Sequence, residues 1–508
     1  MSTRPFLSQA MKIFFLVCIC LSKTSAQRVV PGDFPDPSVT KVDNAYWATA
    51  TTSNWAPVFP LLKSTDLVNW QTQGFVFNEL PTWADYYFWA PEISYDNGKV
   101  YVYYTAHKTN GSLCVAIASA EKPQGPYKDH GPLICEEAGS IDAFPMRDEN
   151  GKLYLLWKED GNSVQKPTPI WAIEMNEDRT ALIGEKKELF RNDVEWEKNL
   201  VEGVSMIRHG GYYYAFYSGA GCCGRGCSYA TGVARAKNLL GPWEKDPKNP
   251  LLTSDDAWNC PGHGTAIKKD GKYYFLYHAY QKEEGVYTGR QGLIKEFTFT
   301  SDGWIEFAKQ SSLSDAAVPE LVQDEFDGKK LSNDWQWSVF QQLRLEIDRG
   351  KLNLYALADD YPAFVAQKIF GDDFTAYTAI MPQQNTAESG LALIGDDKHL
   401  VGISYYNGKV TVYKIDGDNR TQIIERHVDP KEKNPFYLEM KVMNGRSITF
   451  SYREKGKAAT VLTDQPVDGY FLPPWDRPVK VGLTSTGRAG QKGVFENFMI
   501  RYYSGKQK

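Results

Sequence analysis

Short apolar segments separated by turn residues run along the whole chain, and one pattern of them recurs up to about residue 300. Each copy begins with a polar residue among small residues or proline, and a turn and a tyrosine-rich strand follow it. In the third copy, SIDAFP leads through a Gly-Lys turn into LYLLW. The polar residues that open the five copies are Asp36, Glu92, Asp142, Glu202 and His263.

A period of about 50 to 60 residues with several short strands in each unit predicts a β-propeller. Five copies predict five blades, which we place in residues 27–315. Equivalent positions of successive blades lie at equivalent distances from the axis, so we expect the five polar residues to meet in one central pocket. Polar residues do not gather at an axis without a reason, because unpaired charge is costly to bury. The alternative is that the five are solvated strand-edge residues, and their common phase in the repeat disfavours it.

The pattern changes after about residue 320, where short strands with alternating apolar and polar positions follow one another. KVTVY at 409–413 is an example, and Gly and Asp turns separate such strands. This alternation predicts a β-sandwich over residues 322–508. The predicted fold class is therefore all-β, with a five-bladed propeller followed by a sandwich domain.

Composition narrows the function classes. The chain has a formal net charge of −5 and 23% charged residues, so it has no basic excess for a nucleic-acid or anionic-lipid partner. It contains 30 Tyr, 25 Phe and 14 Trp. Aromatic residues in an acidic β-protein indicate stacking against a neutral flat ligand such as a sugar, and the alternative is that they form β-sheet core.

The N-terminus has the pattern of a secretory signal peptide. Arg4 and Lys12 precede an apolar run, and Thr-Ser-Ala at 24–26 resembles a cleavage site, so we expect residues 1–26 to be removed and the protein to be periplasmic or secreted. The run is too short for a membrane span, and no span is predicted elsewhere. Six cysteines follow, a count that permits disulfides in an exported protein and leaves their pairing open.

Several carboxylates in one pocket, without a Ser-His-Asp or Cys-His set, indicate either a metal centre or acid/base hydrolysis. Glycoside hydrolysis by inversion needs one protonated carboxyl group and one ionised group that activates water across the ring. A third carboxylate near the acid would help to keep it protonated. Asp36 lies between two prolines, which fix the backbone, whereas Glu202 has a longer side chain and precedes a glycine.

The motifs that carry these residues resemble glycoside hydrolase family 43 over residues 28 to about 310. The motifs are FPDPSV, FWAPEI, SIDAFP, VEGVSM and CPGHGTAIKKDGKYYFLYH. The resemblance implies a five-bladed propeller that inverts the anomeric carbon, with Asp36 as general base, Glu202 as general acid and Asp142 as modulator of the acid's pKa. It also implies a sugar-facing role for Arg290, and the C-terminal part resembles the concanavalin-like sandwich of exo-acting members.

Further residues are assigned around this set. Trp89, Phe34 and Phe144 flank the polar positions and are candidates for a sugar-stacking wall. His263 lies where many relatives have a histidine near an axial calcium, but calcium prefers oxygen ligands. Glu92 replaces the Asp of many relatives and receives no catalytic role. No cofactor is required for the chemistry, and a structural calcium is compatible with it.

The sequence therefore predicts an exported, exo-acting, inverting glycosidase that acts on oligosaccharide or polysaccharide. Terminal α-L-arabinofuranose from xyloglucan or arabinoxylan side chains is the first choice, with β-D-xylosidase or bifunctional activity as the alternative. Endo-arabinanase and exo-β-1,3-galactosidase activities remain open within the family. A non-catalytic carbohydrate-binding propeller is the alternative from another class, and it predicts loss of at least one carboxylate among Asp36, Asp142 and Glu202.

Overall fold

A computed structural model describes residues 26–309, 311–357, 361–429 and 434–503. Strands and their turns make up almost all of these residues, and the two 3-10 helices described are Gly161–Val164 and Glu195–Glu197. None of the helices in this part of the chain is long and apolar enough to cross a membrane. The predicted signal peptide lies outside the described residues, apart from Ala26.

The first part of the chain folds into five small antiparallel sheets, which we call blades 1 to 5. Blade 1 consists of Ser38–Val42, Ala45–Thr49, Val58–Ser64 and Gln71–Phe77. Blade 2 consists of Ala84–Asp96, Lys99–Lys108, Leu113–Ala120 and Lys128–Ile134. Blade 3 consists of Ser140–Arg147, Leu153–Glu159, Ile170–Met175 and Leu182–Phe190. Blade 4 consists of Val201–His209, Tyr212–Gly219, Ala230–Ala236 and Glu244–Lys245.

Blade 5 closes the ring with strands from both ends of this region. It consists of Trp258–Lys269, Lys272–Gln281, Arg290–Phe299 and the first strand of the chain, Gln27–Asp33, with Ile305–Phe307 paired at its edge. Gln27 pairs with Ile294 across this join. The first strands of neighbouring blades contact one another around the ring, blade 5 with blade 1 included, so they surround the axis. The predicted five-bladed propeller is confirmed.

Apolar faces of neighbouring blades pack against each other to form the propeller's cores. The tyrosine-rich second strands supply large side chains to these cores, as Tyr103 and Tyr104 in blade 2 and Tyr213 in blade 4 show by their complete burial. Burial of aromatic surface on this scale is a major stabilising contribution. Most of the aromatic excess in the sequence therefore belongs to the β-sheet core.

The second part of the chain forms two packed sheets. One contains Leu345–Ile347, Leu352–Tyr355, Lys492–Tyr502, Phe374–Ile380, Phe436–Met443, Ser447–Glu454 and Thr460–Val461, with Leu321–Asp324 and Val467–Asp468 paired at its side. The other contains Asn419–His427, Lys409–Asp416, His399–Tyr406, Glu388–Asp396, Lys480–Thr486, Ala363–Lys368 and Trp335–Ser338. Their inner faces share one large apolar core, as the predicted sandwich requires.

The sandwich is joined to the propeller by backbone pairing as well as by side chains. A two-residue strand of the propeller, Trp55–Ala56, extends the second sheet by pairing with Trp335–Ser338. Elsewhere, the hydroxyl of Ser53 in the propeller donates a hydrogen bond of 2.6 Å to Oδ2 of Asp476 in the sandwich. These contacts fix a sandwich loop beside the propeller axis.

Candidate active site

Four of the five predicted axial residues line one pocket of about 320 Å³ at the axis: Asp36, Asp142, Glu202 and His263. The carboxylates come from blades 1, 3 and 4 and are each about 8% exposed, so they are buried without being sealed off. Arg290 from blade 5 lines the same pocket. The convergence predicted from a common phase in the repeat therefore holds for these four residues, and Arg290, which the family resemblance indicated, lies with them.

Irregular backbone turns the carboxylates into the pocket. Asp36 has φ 51° and Asp142 has φ 58°, a left-handed conformation that non-glycine residues rarely adopt. The inner strand of blade 3 loses its regular register between Ile141 and Phe144, and that of blade 4 does so between Glu202 and Ser205. Such bulges bend a strand and re-aim a side chain, which is why they recur beside active sites.

Asp36 is held as an ionised carboxylate. Arg290 Nη1 donates to its Oδ1 at 2.9 Å, and the Thr51 hydroxyl donates to its Oδ2 at 2.7 Å. Burial alone would raise the pKa of Asp36, but the Arg290 guanidinium, followed by His263, lowers it to about 2. The backbone N–H of Asp36 donates to Nδ1 of the buried His278, which fixes the strained residue in place.

Glu202 and Asp142 form a second, differently built group. The Gly203 N–H donates to Asp142 Oδ2 at 2.9 Å, which joins the two carboxylates through the backbone. Glu202 accepts hydrogen bonds from Lys158 Nζ at 2.7 Å and from the Tyr229 hydroxyl at 2.9 Å. Burial raises the pKa of Asp142; His263 opposes the rise and the Glu202 charge adds to it. Asp142 therefore keeps its proton to a higher pH than an isolated aspartate does.

His263 lies between the two groups. Its Nδ1 is 3.5 Å from Asp36 Oδ1 and 3.9 Å from Asp142 Oδ2. Gly203 is required beside it, because a Cβ there would come within 2.8 Å of the His263 ring. Among the described residues, no group of three His, Cys, Asp or Glu side chains is arranged to hold a metal ion. An axial calcium near His263 stays a prediction.

The structure places the three aromatic residues predicted for a sugar-stacking wall in different surroundings. Trp89 lines the pocket, and its Nε1 donates to the Ser53 hydroxyl. Phe34 and Phe144 were expected there, but they are 1% and 7% exposed and pack in blade cores. The expectation failed because it assumed regular alternation, and the left-handed residues Asp36 and Asp142 break that alternation next to each phenylalanine.

Glu92 does not line the pocket, although its position in the repeat predicted that it would. It instead accepts a hydrogen bond of 3.2 Å from Thr265 on the inner strand of blade 5. Burial raises the pKa of Glu92 to about 8, since no cation faces it to favour the charged form. A neutral carboxyl group near the axis agrees with the absence of a catalytic assignment.

Several pocket residues were missed by reading the sequence. Lys158, Tyr229, Trp475 and the bonded pair Cys222–Cys223 all lie in the pocket or contact its carboxylates. The motif that supplied His263 also contains His278, whose Nδ1 accepts from Asp36, so a local signal existed for that residue. Trp475 and Asp476 come from the sandwich, where nothing in the repeat could point to them.

The six cysteines pair in three disulfides. Cys114 is bonded to Cys135, Cys222 to its neighbour Cys223, and Cys227 to Cys260. The last of these ties the cysteine-rich loop of blade 4 to the inner strand of blade 5. The even cysteine count permitted disulfides, and the structure supplies the pairing that the sequence left open.

The geometry supplies the two states that acid/base hydrolysis needs. One carboxylate, Asp36, stays ionised at any ordinary pH, whereas Asp142, next to Glu202, keeps its proton up to a pH of about 6. An ionised group serves as a base toward water, and a protonated one serves as an acid toward a leaving oxygen. These residues suit hydrolysis of a bond placed between them.

Comparison with known proteins agrees with this chemistry. Curated relatives include a non-reducing-end α-L-arabinofuranosidase of Bacteroides ovatus, 25% identical over 74% of this chain and 75% of that protein. A xylosidase/arabinosidase of Butyrivibrio fibrisolvens is 25% identical over 67% of this chain and 68% of its own. A beta-xylosidase of Bacillus subtilis is 26% identical over 61% of this chain and 63% of its own.

Solved structures share the fold across both domains. A xylan beta-1,4-xylosidase from Bacillus halodurans superposes with a TM-score of 0.78 at 20% identity, covering 94% of this chain and 100% of the other. A second structure, from Bacillus licheniformis, gives 0.79 at 24% identity, covering 94% and 99%. At these identities the likeness concerns the fold.

Family models match both parts of the chain. The model for the beta xylosidase C-terminal concanavalin A-like domain matches residues 323–472, which makes the sandwich concanavalin-like. The model for glycosyl hydrolases family 43 matches residues 26–305, the region that folds into the propeller. Since that match covers more than half of the chain, the protein belongs to glycosyl hydrolases family 43 and is a glycosidase.

Proposed function

We propose that the protein is an exo-acting, inverting glycosidase that releases terminal α-L-arabinofuranosyl residues from hemicellulose side chains of the xyloglucan or arabinoxylan type. The observation that carries the proposal is the convergence of Asp36, Asp142 and Glu202 with Arg290 in one pocket. Retention of all three carboxylates also disfavours a purely carbohydrate-binding propeller. We further propose that the protein is exported, in keeping with the signal-peptide pattern of its N-terminus.

In this proposal Asp36 is the general base. Its ionised state is supported by the Arg290 and Thr51 hydrogen bonds, and its position is supported by the flanking prolines and the bond to His278. A base that activates water must be charged and must address the water with little freedom of movement. In an inverting reaction that water attacks the anomeric carbon on the face opposite the leaving oxygen.

Glu202 is the general acid and Asp142 its partner. The acid must carry a proton to the glycosidic oxygen as the bond breaks, and like-charge repulsion between the two carboxyl groups favours retention of that proton by the pair. Tyr229 and Lys158 hold the two Glu202 oxygens, so the side chain is oriented before substrate arrives. Lys158 is 1% exposed and also contacts Asp160, which offsets its charge.

Exo action is supported by the sandwich loop that reaches the pocket. Trp475 lines it and lies edge-on to Trp89, with ring centroids 6.0 Å apart. Asp476 accepts from Ser53 through its side chain and from Arg290 through its carbonyl oxygen. An extended polysaccharide would have to pass this loop to be cut in mid-chain, whereas a terminal sugar enters from the open side.

Arabinofuranose is the proposed sugar, with β-D-xylose as the alternative or second substrate. Two of the relatives carry arabinofuranosidase or arabinosidase in their names, and two carry xylosidase. The reacting ends of these pentoses present similar hydroxyl groups. The small pocket, about 320 Å³, agrees with recognition of a single terminal sugar.

Aryl α-L-arabinofuranoside, β-D-xyloside and β-D-galactoside test the proposal, with the wild type, Asp36→Asn and Glu202→Gln assayed in parallel. The wild type should hydrolyse the arabinofuranoside best, and both variants should lose almost all activity on it. Glu202→Gln should recover more activity than Asp36→Asn on a substrate whose leaving group needs no proton. Preference for the xyloside would make the protein a β-xylosidase, and hydrolysis of none would favour the binding propeller.

Two further measurements address the mechanism and the mode of attack. Proton NMR should detect the released sugar first with inverted anomeric configuration, and initial retention would overturn the mechanism. A branched arabinoxylan oligosaccharide should yield monosaccharide alone, and release of larger fragments would overturn exo action. Activity should survive treatment with EDTA, because the proposed acid and base are both side chains.

A further inference from the structure

The disulfide between the adjacent residues Cys222 and Cys223 forms part of the pocket lining. Both residues lie in the loop between the second and third strands of blade 4, and both are half-buried. Both residues therefore border the space in which the carboxylates converge. The sequence patterns predicted no substrate-binding or catalytic role for this pair.

The loop that carries the disulfide is held on several sides. Cys227 is bonded to Cys260, on the strand that also carries His263. The Arg225 guanidinium lies 4.0 Å from the centroid of the Tyr470 ring and donates to the Tyr470 carbonyl oxygen at 2.7 Å. With the loop fixed to blade 5 and to the sandwich, the disulfide keeps one position relative to the pocket.

Cys222 also lies beside residues that bind the two proposed catalytic carboxylates. Arg290 Nη1 is 3.8 Å from Cys222 Sγ and donates to Asp36 at 2.9 Å. On the other side, Cys222 packs in an apolar cluster with Tyr229, whose hydroxyl donates to Glu202. Cys222 thus lies near the residues that hold the proposed base and the proposed acid.

A purely stabilising role explains this disulfide poorly. A disulfide stabilises a fold mainly by closing a loop in the unfolded chain, and the effect grows with the length of that loop. Cys114–Cys135 and Cys227–Cys260 span 21 and 33 residues, whereas Cys222–Cys223 spans one and closes no loop of that kind. What it adds is local: two polarisable sulfur atoms fixed in a small ring.

The chemistry of that surface matches one part of a sugar. Disulfide sulfur has no proton to donate and is a weak acceptor, so it makes good contact with C–H groups and poor contact with hydroxyls. Carboxylates and Arg290 line the same pocket and suit the hydroxyl groups. A pentose ring has polar edges and apolar C–H faces, and the pocket offers partners for both.

We propose that Cys222–Cys223 is a substrate-binding platform on which the apolar face of the terminal pentose packs between Asp36 and Glu202. The inference rests on the proposed function and specifies the wall that binds its sugar. The platform binds the sugar ring in the ground state and in the transition state alike, so its loss should raise KM and leave kcat nearly unchanged.

Kinetics of the double variant Cys222→Ala/Cys223→Ala on the arabinofuranoside and the xyloside test the platform. We expect KM to rise about tenfold and kcat to change less than about threefold, which is the effect of losing one well-packed apolar contact. The matched control is Cys114→Ala/Cys135→Ala, which removes a disulfide outside the pocket. Its melting temperature should fall while its KM stays at the wild-type value.

Reduction of the wild type with a phosphine gives the same test without a substitution. KM should rise in the wild type and stay unchanged in the Cys222→Ala/Cys223→Ala background, where the other disulfides remain available for reduction. A KM within twofold of wild type in the double variant, with an unchanged melting temperature, would overturn the platform. A fall in kcat at constant KM would also overturn it, because that result means that the pair positions Glu202 or Asp36.

Calorimetric titration with free L-arabinose and D-xylose separates the platform from the proposed function. An active wild type with unaltered pentose affinity in the double variant disproves the platform alone. A wild type that hydrolyses neither glycoside but binds a pentose disproves the proposed reaction, and weaker binding by the double variant still supports the platform. A wild type that neither hydrolyses the glycosides nor binds a pentose overturns both proposals.

Discussion

The pocket at the propeller axis and a second cavity between the two domains are similar in size and differ in chemistry. The interdomain cavity measures about 390 Å³, compared with about 320 Å³ for the pocket. Asp33 lines the interdomain cavity and Asp36 lines the pocket at the axis. Both residues belong to one Asp-Phe-Pro-Asp segment, and both contact Arg290. Burial raises the pKa of Asp33 to about 6, whereas the pKa of Asp36 is lowered to about 2.

The difference between these two carboxyl groups lies in what donates to them. Asp33 accepts the backbone N–H of Arg290 at 3.0 Å, while Asp36 accepts its guanidinium and the Thr51 hydroxyl. The cavity is lined by charges of both signs, namely Asp33, Asp334, Lys368 and Lys480. Volume therefore does not distinguish the two sites, whereas the hydrogen bonds to their carboxyl groups do.

Replacing the two aspartates one at a time should have the largest effect. Asp36→Asn should lower kcat about 10³-fold, because the amide cannot accept a proton from water. Asp33→Asn should leave kcat within about threefold, since it is equally isosteric and lies outside the pocket. Steady-state kinetics on the best aryl glycoside measure both. Equal losses in the two variants would mean that the cavity takes part in the reaction.

Arg290→Lys should weaken the contact with Asp36 and leave the contact with Asp33 in place. Lysine keeps a charge but loses the planar fork, so the carboxylate of Asp36 is less stabilised and its pKa should rise. The acidic limb of the kcat/KM profile should then move to higher pH, with a loss of about 10²-fold at acidic pH. The Asp33 contact uses the Arg290 backbone and should persist. An unmoved acidic limb would contradict the assignment of Asp36 as base.

Trp475→Ala should have a smaller effect, confined to binding. Trp475 is 53% exposed and belongs to the sandwich loop at the pocket, so its removal should raise KM about tenfold with little change in kcat. Tyr406→Ala, an exposed aromatic of the same domain outside the pocket, is the matched control. If the two variants behaved alike, the sandwich would have no part in substrate binding.

The smallest effect should appear in the pH dependence of stability. The folded-state pKa of Asp33 is raised, so its stabilising contribution is complete below about pH 4 and is lost as the pH rises through 6. Asp36 is the opposite case, and its contribution is present above about pH 4 and lost as the pH falls through 2. Denaturant unfolding should therefore show that the free energy of unfolding of Asp33→Asn, relative to that of the wild type, rises by on the order of 1 kcal/mol between pH 4 and pH 7. A constant difference between the two pH values would contradict the raised pKa.

Much of the fold could be predicted because a repeat acts through local patterning. A strand-turn-strand unit that recurs at a fixed period must place its equivalent residues at equivalent radii, and four of the five predicted axial residues do meet. Glu92 does not, because the inner strand of blade 2 breaks register three times up to Glu92, whereas those of blades 3 and 4 do so once. Phe34 and Phe144 turn away from the pocket for a related reason, namely the left-handed backbone at Asp36 and Asp142.

The sequence by itself determined the five blades, the sandwich and the meeting of Asp36, Asp142 and Glu202, since these follow from period and alternation. Only the tertiary structure decided the surroundings of those carboxylates. Contacts such as Ser53 to Asp476, Arg290 to Asp36 and Cys227 to Cys260 join residues far apart in the chain. The charge state of a buried group depends on such neighbours, because burial and nearby charges set its pKa, and no local pattern records them.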